Sequence, residues 1–247
     1  MIDFRKLDQL KQKLDSFRPL PREIVENLHE DLVLRWTYNS NAIEGNTLTL
    51  KETKVALEGI TVGGKTIREH FEAINHRDAI FFVEELVKKR DGLSEWDIKS
   101  IHQLILKQID DKNAGVYRNV NVTISGADHV PPDTFQVKDE MGKFIEWYKN
   151  DGQKLHPVER AGRVHADCVK IHPFVDGNGR TSRLLMNLEL MKDGFPPVVL
   201  PVEKRLEYYE ALDKAHTVGD YTPFLILVAA TVERSFNPYW HALGVNG

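Results

Sequence analysis

The residues best equipped for chemistry lie in one stretch, Ile171-His172-Pro173-Phe174-Val175-Asp176-Gly177-Asn178-Gly179-Arg180-Thr181-Ser182-Arg183. His172 is a base that accepts a proton near neutral pH. Asp176 is a hard oxygen ligand of the kind that holds Mg²⁺ together with phosphate. Gly177 and Gly179 permit a tight turn with several backbone N–H groups aimed at one point, a nest for an anion. Leu184 to Met191 reads as an apolar helix, so the glycines open onto its positive end. Arg180 and Arg183, three apart, face one side of it. A base, a metal ligand, a nest, a helix dipole and two guanidiniums together suit a polyphosphate. The chemistry is that of nucleotide transfer.

That site needs a helix to deliver His172 and another to receive the phosphates. Pro157 opens the first, with Val158, Ala161, Val164, Cys168 and Ile171 along its inward side. Pro173 forces His172 out of right-handed helical geometry and ends it. The second runs to Lys192-Asp193-Gly194, where Pro196-Pro197 prevents continuation.

As a pattern, the stretch resembles the signature of the Fic family, H-P-F-x-[DE]-G-N-G-R-x-x-R, matched at every fixed position. The resemblance implies a mainly α fold: a Fic-like helical domain with a β-hairpin flap over the active site. It implies transfer of AMP from Mg²⁺-ATP to a Ser, Thr or Tyr hydroxyl of a protein target, or removal of AMP in some branches. By that likeness His172 is the general base, Asp176 the Mg²⁺ ligand and Gly177, Asn178 and Gly179 the phosphate-holding turn. Arg180 and Arg183 grip the outer phosphates. The partners implied are ATP, a protein target and the chain itself through auto-AMPylation. A homodimer is one route by which an inhibitory helix is relieved.

A helix from about Pro21 to Ile43 carries Ile24, Leu28, Leu32 and Trp36 on one stripe and stops at Gly45. Glu44 therefore sits against the negative end of its own helix; either water screens it or a cation waits nearby. Ser40-Asn41-Ala42-Ile43-Glu44-Gly45 resembles the Fic autoinhibitory motif, [S/T]-x-x-x-E-[G/N]. The likeness implies that Glu44 reaches Arg183 and takes the place of a γ-phosphate oxygen. In the reverse-acting branch the same glutamate positions water, making the chain a deAMPylase.

Gly59-Ile60-Thr61-Val62-Gly63-Gly64-Lys65-Thr66 satisfies the P-loop pattern. A P-loop must follow a buried strand, yet Thr49-Leu50-Lys51-Glu52 is a capping box that opens a helix to about Gly59. Residues 59–66 are read as a turn. A second rival is a non-catalytic module that binds nucleotide, for which His172 and Asp176 have no use.

A helix from Ile67 to Arg90 ends at Asp91-Gly92, and Ser94 caps the next, with Trp96, Ile98, Ile101, Leu104 and Ile105. Val116 to Ile124 alternates and is rich in β-branched residues; with a turn at Ser125 to Asp128 and a return at His129-Val130 it predicts a hairpin. It is either a plain surface ribbon or, by the likeness, a flap on which Val122, Thr123 and Ile124 dock a target segment by strand addition. A helix opens at Asp133 and passes through Phe144, Trp147 and Tyr148; another, from Arg205 to Ala215, carries Tyr208 and Tyr209. Those tyrosines either pack or, by the likeness, wall an adenine pocket. An asparagine common in the family beyond them is His216 here, which leaves base selectivity open. The partition expected is 1–20 an N-terminal helix, 21–92 a helical part bearing the inhibitory motif, 93–236 the catalytic core and 237–247 a loose tail.

The 247 residues, 41% hydrophobic and 28% charged, describe an ordinary globular chain. A net charge of −4 argues against a general nucleic-acid or anionic-membrane surface. Cys168, the single cysteine, permits no internal disulfide and suggests a reducing, cytoplasmic setting. The other histidines fit no metal spacing.

Overall fold

The computed structural model describes residues 2–89 and 92–245. Along them run α1 (Arg5–Asp15), α2 (Arg22–Ile43), α3 (Leu50–Leu57), α4 (Ile67–Lys89) and α5 (Glu95–Leu106). Then follow α6 (Val137–Asn150), α7 (Pro157–Ile171), α8 (Asn178–Lys192), α9 (Arg205–Thr217), α10 (Thr222–Ser235) and α11 (Asn237–Leu243). Of the α4 stop expected at Arg90 and Asp91-Gly92, Arg90 and Asp91 lie outside the described residues.

α8 is surrounded on every side: its polar Arg180, Arg183, Asn187 and Glu189 are buried, and with them Leu184, Leu185, Leu188 and Leu190, each at 0% exposure. Burial of one such side chain contributes roughly 1.5–3 kcal/mol. α7 lies along α8, and two cores form around the pair. One joins Val33 and Trp36 of α2 to Ile80 of α4, Ile101 of α5 and Phe144 of α6. The other joins Leu14 of α1 to Tyr208 of α9, Phe224 of α10 and Trp240 of α11. Because α2 enters the first core through Trp36 and the second through Ile43, its C-terminal end is drawn in beside α8. None of the described helices is long and apolar enough to cross a membrane.

Local signals held where partners are local. Thr49 and Glu52 form the capping box, and Ser94 caps α5 with Asp97. Residues 59–66 are a turn after α3, with Gly59 and Gly64 at φ of 81° and 77°, and Lys65 Nζ donates to the Thr47 carbonyl at 2.5 Å. Among the described residues no strand precedes them.

Two expectations are corrected. No β-strand occurs among the described residues, so the hairpin flap does not form. The alternation survives, with Val122 and Ile124 half-buried and Thr123 exposed, but the backbone finds other partners than a ladder. Arg118 donates to the carbonyls of Val120 and Pro132, and the Thr134 hydroxyl donates to the carbonyl of Arg118. Asn121 Oδ1 accepts from the Thr134 N–H. An extended segment stitched by side chains has no need of strand pairing. The second correction is the tail: Asn237–Leu243 is α11, whose Trp240 is buried and stacked on Phe236, and Gly244 ends it at φ 66°.

Candidate active site

His172 ends α7 in the left-handed region, φ 50° and ψ 59°, and its N–H still donates to the Cys168 carbonyl. The neighbouring proline thus turns the imidazole out of the helix. His172 Nδ1 lies 3.3 Å from the Val169 carbonyl. A carbonyl only accepts, so Nδ1 carries the proton and Nε2 the free lone pair. Burial first, and then the nearby Arg118 charge, lower its pKa to about 4 against the pull of Val169 and Glu44. The ring is neutral and ready to take a proton.

The loop between His172 and α8 is braced from behind. Asn178 closes it on itself, Oδ1 accepting from the Phe174 N–H and Nδ2 donating to the Phe174 carbonyl, both at 2.9 Å. His102 stacks on Phe174 with ring centroids 3.6 Å apart and donates through Nε2 to the Asp176 carbonyl at 2.9 Å. Gly177 takes φ 75°, which a side chain would strain, and a Cβ there would press on Ile105 and His102. Arg118, buried, donates to the His172 carbonyl at 2.8 Å. The loop is therefore shaped by groups 54 and 74 residues away in sequence.

α2 closes the mouth. It ends in a Schellman motif: Gly45 N–H bonds the Ala42 carbonyl and Asn46 N–H the Asn41 carbonyl, with Gly45 at φ 96°. That turn aims Glu44 at Arg183, Oε1 to Nη2 at 2.7 Å. Arg183 also donates to the Ser40 hydroxyl and carbonyl at 3.0 and 2.8 Å and to the Tyr208 hydroxyl at 3.2 Å. Burial would lower the Arg183 pKa, but Glu44 and the Tyr208 hydroxyl outweigh it and hold it raised. The cation that meets Glu44 at its helix end is thus Arg183. A Cβ on Gly179 would collide with Glu44 Oε1, so the carboxylate rests on the first turn of α8, where an anion is favoured.

Asp176 Oδ1 accepts from the Gly177 N–H at 2.6 Å and from Arg180 Nη2 at 3.3 Å. Burial would raise its pKa, but Arg180, the Gly177 N–H and Arg68 outweigh it and hold the carboxyl below its usual range. Arg180, 2% exposed, also lies 3.5 Å from Glu72 Oε1, and its Nε has no partner among the described residues. Among the described residues no three His, Cys, Asp or Glu side chains gather to hold a metal unaided.

The Fic/DOC family profile matches residues 92–190. A protein adenylyltransferase Fic of Nematostella vectensis is 39% identical over 243 residues, 96% of this chain and 56% of that one. Protein adenylyltransferase fic-1 of Caenorhabditis elegans is 37% identical over 98% of this chain and 48% of its own. A solved fragment of Fic-1 from C. elegans superposes with a TM-score of 0.88 at 36% identity, covering 98% of this chain and 72% of the other. The chain belongs to the Fic/DOC family. A Fic-domain signalling protein from Bacteroides thetaiotaomicron has the same TM-score at 29% identity, with 97% of each chain covered. This Fic/DOC chain spans about half the length of the curated relatives it matches.

Within the Fic/DOC fold, His172, Asp176, Gly177, Gly179, Arg180, Arg183, Ser40 and Glu44 gather at one mouth, with Asn178 as the brace of its turn. The two tyrosines part company. Tyr208 is 2% exposed, and its hydroxyl accepts from Arg183 and shares a hydrogen bond with His165 Nε2 at 3.0 Å. Tyr209 is 37% exposed, and its hydroxyl donates to the Ile43 carbonyl at 3.0 Å. Buried His216 donates through Nε2 to the Ala166 carbonyl at 2.9 Å, edge-on to His129. Val122, Thr123 and Ile124 lie on the extended segment that Arg118 ties to His172. Sequence reasoning missed Arg118, His102, Arg68 and Glu72. Arg118 left a trace as the one charged residue within 116–124, and His102 as a polar residue on an isoleucine stripe.

Proposed function

We propose that the chain transfers the AMP moiety of ATP to a hydroxyl of a protein target, restrained by Glu44. One observation carries this reading: a neutral imidazole with a free Nε2 stands at the same helix N-terminus where Glu44 occupies Arg183 in the manner of a phosphate. His172 Nε2 would accept the target's hydroxyl proton. The hydroxyl oxygen would bond to the α-phosphorus as the bond to the bridging oxygen breaks, and pyrophosphate would leave toward Arg180, Arg183 and the α8 N–H groups. Asp176, an ionised hard-oxygen ligand at a half-open mouth, fits a Mg²⁺ that enters with the phosphates rather than one caged by protein. Bound there, the ion would neutralise charge on the leaving pyrophosphate.

The test is ATP labelled on the α-phosphate. Glu44→Gly should raise label on the chain itself and on a client, and His172→Ala in that background should erase it. No rise without Glu44 rejects the brake; label surviving without His172 rejects the base.

Removal of AMP is a second reading that Glu44 itself favours. Its side chain is 34% exposed and overlies Gly179, a position from which a carboxylate can hold a water against an AMP ester. A client already carrying AMP decides it: release by the wild-type chain and not by Glu44→Gly supports hydrolysis.

A further inference from the structure

Asp176 has two oxygens with different neighbours. Oδ1 is engaged by the Gly177 N–H and Arg180, which fixes the carboxylate's orientation. Oδ2 is the one left to face an incoming cation, and it is met by Arg68 Nη2 at 2.5 Å. Arg68 stands on the first turn of α4 and is anchored there through Nε, 3.1 Å from Glu72 Oε1. Glu72 Oε2 accepts from Asn46 Nδ2 at 2.9 Å, and Asn46 is the last residue of the turn that aims Glu44. Arg68 is thus held at its root by Glu72, with its outer nitrogen on Oδ2.

We propose that Arg68 is a tethered counter-ion: it covers Asp176 Oδ2 while no nucleotide is bound and yields that oxygen when a metal-bearing nucleotide enters. The inference rests on the adenylyl-transfer reading, from which it takes Asp176 as the metal's ligand. Three features support a replaceable ion rather than a fixed strut. The Arg68 and Asp176 side chains are 56% and 44% exposed, so water screens their attraction and the pair is worth little. Glu72 keeps a partner for the guanidinium after Asp176 is released. Asp176 keeps its orientation through Gly177 and Arg180. Arg180 is the contrast: at 2% exposure it has no such exit.

The experiment uses Glu44→Gly as parent, so that the mouth is open, and calorimetry with a non-transferable ATP analogue. Each protein is titrated with the analogue plus Mn²⁺ and with the analogue in EDTA. Arg68→Gln should tighten binding of the Mn²⁺ complex by about two- to five-fold, the range an exposed ion pair commands, and leave binding in EDTA unchanged. Arg68→Lys, which keeps the charge, should fall between. The difference between parent and Arg68→Gln should shrink as salt rises. Weaker binding of the Mn²⁺ complex to Arg68→Gln would make Arg68 a phosphate ligand and overturn the proposal, as would equal binding in all three proteins. If the parent binds the analogue with or without metal while Arg68→Gln changes nothing, only this inference fails. If the parent binds in neither condition, the adenylyl-transfer reading fails and the inference with it.

Discussion

Two of the buried arginines of the α7–α8 pair, Arg160 at one end and Arg183 at the other, are satisfied in different ways. At one end Arg160 binds Glu189 at 2.9 Å and also Asp193. Glu189 has 0% side-chain exposure and further accepts from the Tyr148 hydroxyl at 3.1 Å. At the other end Arg183, 3% exposed, has a single carboxylate partner among the described residues, Glu44, which is 34% exposed and arrives from a helix 139 residues earlier. Its remaining bonds go to neutral oxygens of Ser40 and Tyr208. Arg160 has a counter-ion that cannot leave; Arg183 has one that can. A buried cation whose anion is removable is a receptor for another anion, and that separates the functional end from the structural one.

The first way to break the comparison is to remove each carboxylate. Glu189→Ala takes from Arg160 its buried counter-ion, leaving it only the partly exposed Asp193, and takes from Tyr148 its acceptor; it should cost about 3 kcal/mol in urea unfolding, the low end for buried pairs that lose one member. Glu44→Gly should cost about 1 kcal/mol or less, because its pair is at a watered mouth and a glutamate leaves the negative end of α2. Equal losses would erase the distinction.

Next comes the anion itself. Pyrophosphate at a hundred times its dissociation constant should stabilise Glu44→Gly by about 2.7 kcal/mol and leave the wild-type melting temperature unmoved, since Glu44 fills the seat. A smaller effect sharpens the seat's location. Gly179→Ala, added to Glu44→Gly, puts a methyl group where Glu44 Oε1 now lies. It should weaken pyrophosphate binding at least ten-fold, about 1.4 kcal/mol. Undiminished binding would place the anion elsewhere.

How much of this could be read from the chain alone depends on where each residue's partners lie. The capping box of Thr49 and Glu52, the stop at Gly45 and the elbow at His172-Pro173 were legible because their partners sit within a few residues. Val116 to Ile124 has a strand's alternation, but a strand also needs a second strand, and the alternation carries no information about that. Tyr208 and Tyr209 look alike in sequence, yet one helical step separates a buried hydroxyl on Arg183 from a half-exposed ring. Arg68 reads as an ordinary surface arginine until its partner 108 residues later is known. α11 had its signals, Pro238 near the start and Gly244 at the stop, which an expectation of a frayed end obscured.

The smallest effect concerns protons at the functional end. His172 is held at about 4 in the folded chain, mainly by burial, while an unfolded histidine titrates near 6.5. Between those values the unfolded chain binds the extra proton, so falling pH favours unfolding and the contribution of His172 to stability is lost downward through that window. His172→Asn removes this titration and suits the left-handed backbone. Between pH 7 and 5.5 it should therefore lose about 1 kcal/mol less stability than wild type, measured by urea unfolding at each pH. Glu44 raises the His172 pKa, so Glu44→Gly should widen the window and carry the loss to lower pH. Identical pH slopes in wild type and His172→Asn would mean that the imidazole is not held neutral by its site, and the base would lose its physical footing.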